Sequence, residues 1–109
     1  PLFVFSYIEN ILRLIMTVEN FIKSIEEKTL PKDLTQILTA LWYDGIGDWK
    51  KAHEITQNIS TVQASEVHAY LHRKEGNNSN ANYWYTKVGK KFCNKPLHEE
   101  WTELVKKNL

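Results

Sequence analysis

Apolar residues recur at helical intervals along nearly the whole chain, and nowhere do they alternate with polar residues for long. Val18, Phe21, Ile22 and Ile25 keep the i, i+3, i+4, i+7 spacing of one buried stripe. The stretch TLPKD ends that stripe. A proline cannot continue the hydrogen-bond ladder, and it pushes Leu30 before it towards extended backbone. Leu34, Ile37, Leu38, Leu41 and Trp42 define a second helix with a wide apolar face. DGIGD breaks it, because glycine tolerates left-handed turn geometry, and Asp48 can cap the helix that carries Trp49, Ala52, Ile55 and Ile59.

Ser60 or Thr61 can start a fourth helix with Val67, Tyr70 and Leu71, ended by Gly76. Asn77 or Ser79 can cap a fifth, with Ala81, Tyr83, Trp84, Tyr85 and Val88, stopped by Gly89. Pro96 suits the first turn of a last helix carrying Leu97, Trp101, Leu104 and Val105. The pattern predicts an all-α fold of five or six antiparallel helices. Its expected core includes Leu38, Leu41, Trp42, Ala52, Ile55, Leu71, Ala81 and Trp84, with turns over residues 45–48 and 75–78.

Residues 1–15 stand apart. The run is apolar, but its uncharged part is too short to cross a bilayer, and it lacks the basic start and cleavage site of a signal peptide. Met16 is the single methionine, and an ordinary amphipathic helix follows it. Two readings stay open: an extension before a domain spanning 16–109, or a further helix from Ser6 with Ile8, Ile11, Leu12 and Ile15 on one stripe.

A repeat underlies the two glycine turns. Gly76 lies 29 residues after Gly47, Ala81 29 after Ala52, and Ala69 29 after Ala40. Small residues at such positions let helices approach closely, with large neighbours filling either side. With a small residue, a glycine seven further on and an alanine five beyond that, residues 38–88 resemble tetratricopeptide repeats. The period is shorter than the usual one of about 34. Gln36 and Ser65 stand where those repeats open on tryptophan. The resemblance implies hairpins stacked in a right-handed array, with Gln63, Glu66, Tyr70 and Arg73 lining its concave groove. From Met16 to about Lys91 the chain is also similar to a small, uncharacterised bacterial helical family carrying A-H-E, H-A-Y-L-H-R-x-E-G and N-A-x-Y-W-Y. Asn77 stands where its members usually have an acidic residue. That likeness implies no activity and no ligand.

At 109 residues the chain is of single-domain size, and 4 Trp, 5 Tyr and 4 Phe supply bulk for a core. A net charge of +1 gives no basis for nucleic-acid binding. Lys87, Lys90, Lys91 and Lys95 read as a solvated helix end. The lone Cys93 excludes an internal disulfide and fits a reducing, cytoplasmic setting away from membranes.

The candidate chemistry is sparse. His68 and His72, four residues apart, project from one helical face, and His53 or Glu75 could join them. The H-E-x-x-H motif is incomplete, because Ala69 replaces its glutamate. Buried, hydrogen-bonded imidazoles are the first expectation for this set. A metal site of His53, His68 and His72, or an enzyme built on it, is the alternative. No nucleophile elbow, phosphate loop or cofactor motif occurs, so neither catalytic residues nor cofactors are expected. The leading expectation is a non-catalytic module binding a protein or peptide, with self-association left open. Its contacts would be Gln63, Glu66, Tyr70, Arg73, Tyr83 and Tyr85, and the Arg73 fork suits a partner with an acidic group.

Overall fold

A computed structural model describes residues 16–109, and both readings of residues 1–15 lie outside it. The described chain is all-helical. The helices are α1 (Val18–Glu26), α2 (Gln36–Gly45), α3 (Trp49–Gln57), α4 (Val62–Lys74), α5 (Asn78–Lys87) and α6 (Leu97–Asn108). No helix among the described residues is long and apolar enough to cross a membrane.

Short polar side chains start five of these helices by accepting a free first-turn N–H. Thr17 accepts from Asn20, Thr35 from Leu38, Asp48 from Lys51, Thr61 from Ala64 and Asn77 from Asn80. Thr61 and Asn77 thus settle two starts that the sequence had left as pairs. Pro96 sits just before the last helix, at its N-cap.

The turns at 45–48 and 75–78 share one geometry. Gly47 has φ 91° and Gly76 φ 87°, the left-handed region that glycine enters without steric cost. The capping residues Asp48 and Asn77 follow with φ, ψ of −99°, 73° and −89°, 77°. The 29-residue spacing is therefore written into the backbone of both hairpins.

Helices α2 and α4 are central. On one side α3 packs against both and α5 against α4, while α6 packs across the other side with α1 beside it. Phe21, Leu38, Leu41, Trp42, Val67, Leu71, Leu104 and Val105 form the main core, with Ile55 partly buried against it. Ala69, Ala81 and Tyr85 form a second cluster with Trp84 at its edge. Three tryptophans find acceptors for their indole N–H: Trp42 donates to Ser24 Oγ at 3.1 Å, Trp49 to the Leu71 carbonyl at 2.8 Å and Trp101 to the Leu41 carbonyl at 3.0 Å. Unpaired, those buried donors would oppose folding.

Candidate metal centre

Two i, i+4 pairs face each other where α3 meets α4. Trp49 and His53 stand one turn apart on α3, and His68 and His72 one turn apart on α4. The indole of Trp49 stacks on His53 with centroids 4.9 Å apart and 6° between planes. Trp84, from α5, stacks on His68 at 4.0 Å and 14°. Two indoles thus hold the outer faces of two imidazoles and limit their rotation. His53 Nε2 and His68 Nε2 share a hydrogen bond at 3.0 Å, the His68 and His72 rings stack with centroids 4.7 Å apart, and one ligating nitrogen from each of the three falls within 4.8 Å of the others.

Glu75 fixes the third imidazole. Its Oε1 is 2.7 Å from Nδ1 of His72, so Nδ1–H donates to the carboxylate and Nε2 is the nitrogen left for another partner. Such a carboxylate–histidine pair would orient the imidazole if it served as a metal ligand. Glu75 stands outside the group of converging ligand atoms, which consists of the three histidines.

His68 and His72 are buried and His53 is partly so. Burial lowers the proton affinity of His53, and the charge that His72 would carry adds to this. Burial, His53, His72 and Lys87 together bring His68 down to about 4. Both imidazoles are therefore neutral at neutral pH, the state a metal needs.

The set fits a zinc-class ion. Zinc takes imidazole nitrogens at about 2.0–2.1 Å in tetrahedral array, which places ligand atoms about 3.3 Å apart. The His53–His68 pair, at 3.0 Å, needs to open by a few tenths of an ångström. Three protein nitrogens would leave one tetrahedral position without a protein ligand.

The groove residues tell a different story. Glu66, Tyr70 and Tyr85 are buried, and the Arg73 side chain is only 12% exposed, because α6 lies across them. Glu66 pairs with Lys90 and Lys107. Arg73 pairs with Glu100 at 3.0 Å, and Tyr85 donates to the same carboxylate at 2.6 Å. Tyr70 donates to Asp44 at 2.7 Å. Of the six expected contact residues, Gln63 and Tyr83 are exposed. The chain's own last helix pairs with Glu66, Arg73 and Tyr85, and its docking is not encoded in the local sequence pattern. Sequence reading also missed the stacking roles of Trp49 and Trp84, although the Trp-x-x-x-His spacing of Trp49 and His53 carries the first.

Comparison of the chain with protein-family models, curated proteins and solved structures finds no match.

Proposed function

We propose that this protein binds one divalent transition-metal ion of the zinc class through His53, His68 and His72, with Glu75 orienting His72. The observation that carries the reading is the convergence of three imidazoles from two helices, with a carboxylate on the outer nitrogen of one. A histidine buried only for packing needs one hydrogen-bond partner and no convergence. Here His68 is bonded to His53 and His72 to Glu75, and the gathering of all three imidazoles in one group goes beyond what those two bonds require.

The test is elemental analysis of protein purified without chelator, paired with its melting temperature. One equivalent of metal, lost on chelation together with several degrees of melting temperature, supports the reading, since a ligand held by the native state alone stabilises it. Metal-free protein with a chelator-insensitive transition, after zinc has been supplied, counts against it.

Two finer expectations remain part of this reading. The hairpins form a tetratricopeptide-like right-handed array, an idea supported by their matched turns, and the free thiol of Cys93 suits a cytoplasmic site. A protein-binding role keeps support from Tyr83, whose ring is 59% exposed beside Trp84. Loss of a co-purifying partner in Tyr83→Ala would establish it.

A further inference from the structure

We infer that a metal ion held by the three histidines keeps its fourth position for a small anion from solvent, hydroxide or one no larger than azide, and that organic anions are shut out. This rests on the metal-binding reading above.

Charge is the first argument. Three neutral imidazoles leave a divalent ion with its full double charge, and no carboxylate or thiolate belongs to the converging group among the described residues. Glu75 is committed to His72 Nδ1 in the outer sphere. On the other side, Lys87 adds positive charge near His68. Uncompensated charge is costly where two of the ligands are buried. An anion in the inner sphere offsets part of that cost directly, and a neutral ligand does not.

Ligand supply is the second. Glu54, whose charge acts on His53, lies outside the converging group, and further candidates are placed elsewhere. Cys93 packs with Ala69, Ala81, Tyr85 and Phe92 in the second cluster. Glu66 and Glu100 are held on the opposite side of α4 by Lys107 and Arg73. The chain among the described residues therefore brings three ligands and leaves solvent to bring the fourth.

Room is the third. Trp49 and Trp84 lie flat on His53 and His68, closing the flanks of the triad. A cavity of about 490 Å³ lies between α1, α2, α4 and α6 and is lined by Ile22, Ile25, Tyr70 and Trp101. No histidine of the triad lines it or four smaller cavities among the described residues. His53 is the one partly exposed member of the triad, so the approach from its side suits small ions and not a substrate that must lie in a cleft.

The experiment uses the full chain loaded with Co²⁺, whose visible absorption reports the number and kind of its ligands. Stoichiometric Co²⁺ uptake that is lost in His68→Ala and His72→Ala establishes the metal reading by itself; without uptake, that reading falls and this inference with it. Given uptake, azide is titrated against the visible bands. A saturable spectral change with azide is expected, and none with benzoate at concentrations on the order of a hundredfold above the azide midpoint. Bands indifferent to azide would overturn the inference while leaving the metal site standing. A benzoate response matching that of azide would overturn the size limit.

Discussion

Glu75 Oε1 sits 2.7 Å from His72 Nδ1, so the residue that ends α4 holds the imidazole one turn back in a single tautomer. The carboxylate is on the protein surface and the imidazole is buried, so the pair joins solvent to the inner face of α4. Glu75→Gln keeps a hydrogen-bond acceptor but removes the charge. We expect metal affinity to fall about 10–100-fold, with helix content and cooperative unfolding retained. Competition with a chromogenic chelator measures the affinity, and circular dichroism the fold. Unchanged affinity would mean that Glu75 is only a helix-end acceptor.

Acid should destabilise the metal-free protein partly through His68. Its proton affinity in the fold is lowered from 6.5 to about 4 by burial and by its neighbours His53, His72 and Lys87. Between those values the unfolded chain binds a proton that the folded chain does not. The contribution is therefore complete above about pH 6.5 and is lost as pH falls through about 4. Glu66 titrates in the same sense. Burial raises its carboxyl, but bonds to Lys107 and Lys90 outweigh this and hold it below the usual range. Urea midpoints measured from about pH 7 to about pH 4 should fall, and less steeply in His68→Gln, which keeps the Glu66 contribution. Equal slopes would contradict the assignment.

The α6 clamp makes a separate claim. Glu100 is buried and takes both the Arg73 guanidinium and the Tyr85 hydroxyl. Glu100→Ala leaves Arg73 enclosed without its counter-charge and should cost about 3–5 kcal/mol, read from urea denaturation. For the same reason Arg73→Ala with Tyr70→Ala should lower stability, where an open groove would predict a folded protein lacking a partner.

The helices were legible because their signals are local. Apolar spacing located α2 and α4, and Thr61, Asp48 and Asn77 are side chains that cap wherever they precede a helix. The hairpin turns were legible through the 29-residue spacing of Gly47 and Gly76, each with positive φ. Histidines 53, 68 and 72 could be named as a set, but their convergence depends on how α3 leans on α4, and one sequence does not state that register. The course of α6 was illegible for a plainer reason. Arg73 meets Glu100 across 27 residues, and either residue alone reads as a solvated charge.

Ala81, fully buried against Ala69 and Tyr85, marks the close approach of α5 to α4. Ala81→Leu adds volume where none is free and should cost about 1–3 kcal/mol. An unchanged melting temperature would show that the two helices can part.

The central claim is tested most directly by calorimetric titration of zinc into metal-free wild-type protein and into His53→Ala, His68→Ala and His72→Ala. The account predicts one equivalent bound by the wild type, with each substitution abolishing that event while the protein stays folded. Zinc bound equally well by all four proteins, or by none of them, would contradict it.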